Sequence, residues 1–352
     1  MPRCSPEEDG EMVMRTRWIR WIAWVLAFCV WLSPLPFSLG ATSVETTLPS
    51  PNVPPSSWSS LQQDWKSLQN LAQKDVLSPS NAKHGPATSG HGAKLSTPTK
   101  QGVVIGVGDV GPRAMWLNES LAMLGYLPAT FSPSSPKSAQ AARLALSASA
   151  RAQTFKPLQG NWKLWYHQPN AWVSLWSSDE DTPITEGAVM AFEAEHHLGV
   201  DGIAGPDVIH ALSQALAIGE LAPAEPYSYI LVSTSLPEKL ELWVNGKLVL
   251  TSLCNTGIPQ APTPYGTYGV YVQYASQEMK GKDPNGKPYD DPGVPYVSYF
   301  DQGCAIHGFI RQKYGFPQSL GCVELPYAAA AKVFAYTHIG TLVTITSAPL
   351  ST

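Results

Sequence analysis

The stretch CAIHGFIRQKYGFPQSLGCVELP, from Cys304 to Pro326, gathers a histidine, a serine, three glycines and two cysteines within a short reach of chain. A thiol is a weak nucleophile while protonated, and a nearby imidazole can take its proton or share an ion pair with the thiolate. If the segment between them folds back, Cys322 meets His307 and the pair can attack a carbonyl. Gly321 lets backbone approach the reacting group, and the amides of Leu320, Gly321 and Cys322 are candidate donors to an oxyanion. On residue types alone, other arrangements stay open. Cys304, His307 and Cys322 offer three zinc ligands, though at no diagnostic spacing. Cys304 can also bond to Cys254 in an oxidising compartment, or to Cys322, which would silence the thiol.

The whole string says more than the pair. H-G-x10-S-x-G-C-V, His307 to Val323, resembles the catalytic signature of the L,D-transpeptidase family, and NTGIPQAPTPYGTY, Asn255 to Tyr268, resembles that family's strand and turn. The resemblance implies a mainly β catalytic domain over 227–348 that cross-links peptidoglycan through a cysteine acyl-enzyme on stem tetrapeptides. Cys322 matches the nucleophile and His307 its base, with the Gly308 carbonyl orienting the imidazole and Ser319 shaping the loop. Acyl exchange between amide, thioester and amide needs neither metal nor nucleotide, so no cofactor is expected. Two positions depart from the family pattern: Leu320 stands where many relatives have His, and Glu324 where many have Arg. Glu324 is expected either to make a local structural hydrogen bond or to attract the free amine of an acceptor stem. Tyr299, Arg311, Lys313 and Tyr314 fall in or near the site loop, as stem-peptide contacts or as solvated loop residues.

The elements that must hold these residues read as strands. YSYILVST from Tyr227, KLELWVNGKLVLTS, GTYGVYVQY and GTLVTITS alternate in the manner of a half-buried sheet, and YAAAAKVFAY is helix-like. Asn245-Gly246 predicts a two-residue hairpin, because both central positions of a type I′ turn need positive φ. PNGKPYDDPGVPYVSYF reads as a long loop beside the site, being rich in Pro and Gly.

Upstream, GDVGPRAMWLNESLAMLGYL (Gly108–Leu127) predicts a helix ending at Gly125. TEGAVMAFEAEHHLGVDGIAGPDVIHAL (Thr185–Leu212) predicts two more around a VDGIAGP turn, giving a small three-helix bundle. LGYLP together with VDGIAGP resembles the peptidoglycan-binding module attached to many cell-wall enzymes. Here its halves are separated by an insertion at about 129–184 that carries Trp162, Trp165, Tyr166, Trp172 and Trp176. That aromatic cluster is expected to complete a core, with stacking on sugar rings as the alternative. His196 and His197 point to different helix faces and do not suggest a metal pair.

The 352 residues suggest more than one domain, and the formal net charge of −4 shows no basic excess, so nucleic acid is not an expected partner. Arg15, Arg17 and Arg20 precede the apolar run Trp21–Leu32, which reads as an export signal cut before Ala41 or, alternatively, as an uncleaved membrane tether. Residues 42–100 are rich in Ser, Pro, Thr and Gln and read as a flexible spacer. The expected organisation is a multidomain chain: a leader (1–41), the spacer, a helical peptidoglycan-binding-like module (101–220) and the catalytic domain (227–348). The expected product is an exported cell-envelope enzyme acting on stem peptides and glycan. Two alternatives stay open: an L,D-carboxypeptidase with the same nucleophile, and a non-catalytic wall-binding protein.

Overall fold

The computed structural model describes residues 102–350. The expected leader and the whole of the spacer lie outside them. Among the described residues no helix is long and apolar enough to cross a membrane.

The N-terminal part is helical. Helix α1 (Pro112–Leu124) starts on a proline whose missing N–H is no loss there, and stops at Gly125 in the left-handed conformation, φ 87. A small hairpin-like sheet follows, β1 (Ala129–Pro133) antiparallel to β2 (Gly160–Leu164), with α2 (Ala139–Arg151) between its strands. The short α3 (Asn170–Val173) leads to α4 (Pro183–Glu195) and α5 (Pro206–Ile218). The expected bundle of three helices gains a fourth, α2, from within the insertion. Its alanines and serines allow a close approach to α5, where Ser147 Oγ donates to the Ser213 carbonyl at 2.7 Å. Asn118 ties the insertion to the helices: its Nδ2 donates to the Glu180 carbonyl (3.0 Å) and its Oδ1 accepts from Thr185 Oγ1 (2.7 Å). Thr185 is also half of the capping box that starts α4.

The C-terminal part is two sheets. The first orders β5 (Lys247–Leu253), β4 (Lys239–Val244), β3 (Ser228–Ser233), β11 (Leu342–Thr346) and β6 (Gly266–Gly269). The second orders β10 (Val323–Leu325), β9 (Cys304–Gly308), β8 (Pro288–Asp301) and β7 (Val272–Lys282), with α6 (Tyr327–Tyr336) leading from β10 towards β11. Between the sheets lies a core of Ile230, Val232, Leu242, Phe300, Ile306 and Val323, among others. The expected turn is present at Asn245 (φ 50) and Gly246 (φ 71), between Val244 and its partner Lys247.

One expectation fails. PNGKPYDDPGVPYVSYF is not a loop: from Pro288 onwards it is β8, paired with β7 between Pro288 and Tyr299. The prolines are tolerated because β9 joins β8 only from Ser298 onwards, so residues 288–297 form an edge whose outward N–H groups bond to no strand. Pro292 and Gly293 fall where the register shifts, at a bulge.

Strand β3 is buried along its entire length. Ile230 and Val232 face the inter-sheet core, while Tyr229 and Leu231 join the helical core of Trp116, Leu121, Trp172, Val189 and Phe192. This explains why SYILVS is a nearly continuous apolar run rather than an alternating one. Trp162, Trp172 and Trp176 of the aromatic cluster belong to the same core, the expected role, while Trp165 and Tyr166 lie outside it. Trp172 is fully buried, stacks on Trp176 at 6.2 Å and donates Nε1–H to Tyr227 Oη at 2.7 Å; Trp165 alone of the five stays largely exposed. Gly187 of α4 lies so close to Gly340 that a Cβ there would meet its carbonyl oxygen.

Three carboxyls are buried in the helical part, and burial is the largest influence on each. Glu119, Asp181 and Glu193 are all pushed up to about 7. Glu193 accepts from the N–H groups of Asp201 (3.0 Å) and Gly202 (2.9 Å), which shapes the VDGIAGP turn. A carboxyl raised above its unfolded value stabilises the fold below the unfolded pKa, near 4.5, and that contribution is lost as pH rises through about 7. Wild type is therefore expected to lose thermal stability relative to Glu193→Gln between pH 4.5 and 8. The difference in Tm across that range measures it, and a pH-independent difference would refute it.

Candidate active site

Strand β9 carries His307 and the parallel strand β10 begins just after Cys322, with Val323 paired to Ile306 and Glu324 to His307. Because successive side chains alternate between faces, Ile306 and Val323 enter the inter-sheet core, while Ala305, His307 and Glu324 take the other face. Cys322 packs on that other face, against a cluster of Val294, Val297, Tyr299 and Ala305. The fold thus puts thiol and imidazole on one side of one sheet.

His307 is buried, and its Nδ1 lies 3.2 Å from the Gly308 carbonyl oxygen. A carbonyl only accepts, so Nδ1 carries the proton and Nε2 keeps its lone pair. Burial, the largest influence, pushes the imidazole below its usual 6.5 and favours the neutral ring. The Gly308 hydrogen bond, Glu324 and Asp291 oppose that shift, and Arg311 adds to it.

The loop returning to β10 is fastened to residues 254–258. Ser319 N donates to the Thr256 carbonyl (3.0 Å), Ile258 N donates to the Ser319 carbonyl (2.9 Å), and Asn255 and Glu324 exchange both backbone hydrogen bonds (3.0 and 2.9 Å). Ser319 Oγ donates to the Cys322 carbonyl at 2.6 Å and accepts from Gly321 N at 3.2 Å. Shaping the loop, the expected role of Ser319, matches these bonds. They also commit the Gly321 amide within the turn, so its use toward an oxyanion requires giving up that 3.2 Å bond. Leu320 is half-buried between them.

Three residues that hold the turn were not singled out from sequence. Thr263 Oγ1 donates to the Gly321 carbonyl and accepts from Gly257 N, each at 2.9 Å. Glu238 accepts from Thr256 N and Oγ1, each at 2.7 Å, and Asn255 Oδ1 accepts from Gly315 N at 3.1 Å. Thr263 belongs to the PTP turn, so the motif that carried the resemblance held the signal.

Glu324 is not open to a ligand amine. Arg311 grips both its oxygens, Nε to Oε2 at 2.8 Å and Nη2 to Oε1 at 2.7 Å, and Asn255 Nδ2 adds a contact of 3.4 Å. Of the two expected roles, the local structural one fits this geometry. Tyr299 is buried among Tyr271 and Tyr274, as a wall under the site. Tyr314 Oη is bonded within the loop, to the Phe309 carbonyl and the Arg311 N–H, and Lys313 is exposed. No disulfide joins any two of Cys254, Cys304 and Cys322, and among the described residues no group of three or more His, Cys, Asp or Glu is arranged to hold a metal ion.

Gly321 has φ +119, and a Cβ there would sit 3.2 Å from Cys304 Sγ. Gly321→Ala is expected to cost about 1–3 kcal/mol, chiefly from the backbone conformation. Adding Cys304→Ala should recover only the contact part. Urea unfolding of both variants measures this, and full recovery in the double variant would refute a backbone origin.

The family model of the YkuD L,D-transpeptidase catalytic domain matches residues 227–345. Among solved structures, the catalytic domain of an L,D-transpeptidase from E. faecium is 27% identical, with 35% of this chain and 99% of that chain covered and a TM-score of 0.31. L,D-transpeptidase 3 from Mycobacterium tuberculosis, in complex with a faropenem-derived adduct, is 21% identical over 34% of this chain and 60% of that one, TM-score 0.32. L,D-transpeptidase LdtMt1, in complex with imipenem, is 20% identical over 34% of this chain and 59% of that one, TM-score 0.31. The chain thus spans about three fifths of the length of these last two. No curated protein matches. The helical part lies outside the matched span, and it is residues 227–345 that match the YkuD L,D-transpeptidase catalytic domain.

Proposed function

We propose that this protein is a peptidoglycan L,D-transpeptidase working through a cysteine acyl-enzyme. The observation that carries the proposal is the placing of Cys322 and His307 on one face of the sheet, with Nδ1–H of His307 held by Gly308 so that Nε2 is the basic atom. His307 takes the thiol proton, and the Cys322 sulfur attacks the carbonyl preceding the terminal D-residue of a donor stem tetrapeptide. The C–S bond forms, the C–N amide bond breaks, and the leaving amine takes the proton from the imidazolium. A side-chain amine of a second stem then attacks the thioester, loses its proton to His307 and restores the thiol as the new amide forms.

The remaining parts fit an envelope enzyme. The leader exports the chain or tethers it to the membrane, the spacer gives reach, and the helical part, with its LGYLP and VDGIAGP turns, engages the wall. Peptidoglycan stems and glycan are the partners in this reading.

The test is mass spectrometry of products after incubating the protein with disaccharide tetrapeptide, beside Cys322→Ala. Cross-linked dimers from the wild type alone are expected, with turnover by Cys322→Ala lower by about a thousandfold or more. Shortened stems without dimers would indicate water as the acceptor, and dimers from Cys322→Ala would refute the mechanism. Because a neutral His307 is needed, activity should fall on acidification only below the usual imidazole range, pH 6.5.

A further inference from the structure

Glu324 presents an electrostatic problem to the site. The β9–β10 register sets it directly across from His307, and both side chains are buried. A carboxylate so placed, away from water, favours a charged imidazolium. Such a ring could not accept a proton from the thiol.

The loop after β9 supplies the answer. Arg311 binds both oxygens of Glu324 in fork geometry, at 2.8 and 2.7 Å, with side-chain exposures of 32% for Arg311 and 5% for Glu324. Its guanidinium lies 4.6 Å over the Phe309 ring, and that ring meets His307 edge-on at 6.0 Å. The Arg311 N–H is fixed in turn by Tyr314 Oη, at 3.1 Å. A guanidinium does not lose its proton in proteins, so the compensation holds at every working pH. The groups acting on His307 are Glu324 from β10, Arg311 from the loop and Asp291 from β8, with the Cys322 thiol on the same face.

We propose that Arg311 is a positioning residue: by clamping Glu324 it cancels the carboxylate beside His307 and keeps the imidazole in its neutral, proton-accepting form. This rests on His307 being the base of the proposed reaction. Arg311 touches no reacting atom in this role. It acts through Glu324, and the two together replace what a single uncharged residue at 324 would have given: a base with no net charge beside it.

The full chain with ring-labelled histidine tests this by NMR titration of His307, assigned with His307→Gln, alongside the pH dependence of stem-peptide turnover. Arg311→Met is expected to raise the His307 midpoint by about one unit, tenfold in the protonation equilibrium, and to move the acid limb of turnover upward with it. Glu324→Gln should move the midpoint the other way. The double variant should return close to wild type, and Arg311→Lys, which keeps the charge, should stay near it. Single variants shifting in the same direction, or an unmoved midpoint in folded Arg311→Met, would overturn the proposal. If Arg311→Met does not fold, the decision falls to Glu324→Gln, whose midpoint must drop. Opposite shifts in a protein that turns over no stem peptide would leave the electrostatic role standing and remove the reaction assigned to His307.

Discussion

A parallel pairing at the end of a sheet governs the site. Strands β9 and β10 run the same way, so the chain cannot join them by a tight turn and must travel out and back before Cys322 can come alongside His307. A loop of that length costs conformational entropy and has no reason of its own to return to one place. Its return is enforced by residues 254–258, which take up its backbone groups one after another, and by Thr263, which holds the Gly321 carbonyl. Cys322 is therefore positioned by a second segment distant in sequence. This is why the NTG and PTP turns and the SLGC turn occur in the same domain.

Much of this was legible in the residues. The Asn245-Gly246 turn, the β4 and β11 strands and the last helix follow from local pattern, because alternation and positive-φ requirements are properties of neighbours in sequence. The Gly308 carbonyl as partner of His307 was also anticipated. What escaped was set by long-range geometry. The prolines of β8 argue against a strand until it is known that β9 covers only its final residues, so most of the strand is an edge. Helix α2 carries a weakly apolar, alanine-rich sequence, and its burial depends on meeting the small residues of α5. The partner of Glu324 could not be read from spacing, since Arg311 reaches it only through the loop's return.

The setting of Glu324 shows how a buried charge is absorbed. A buried carboxylate without a partner is costly, and a buried pair missing one member is worse. Arg311 and Asn255 satisfy Glu324 from the loop and from the strand beside it, so the charge is retained without leaving an unpaired acceptor. The site keeps its shape because the compensation comes from elements that already had to be there to return Cys322 to the sheet.

Strand β3 has a mechanical consequence. Since one of its faces belongs to the inter-sheet core and the other to the helical core, the helices cannot swing away without exposing Tyr229 and Leu231 and breaking the contact between Trp172 and Tyr227. The helical part is thus not a pendant on a string but a fixed arm. Anything bound on the helical part would therefore be held at a set distance and angle from the Cys322 thiol, as between the jaws of a caliper.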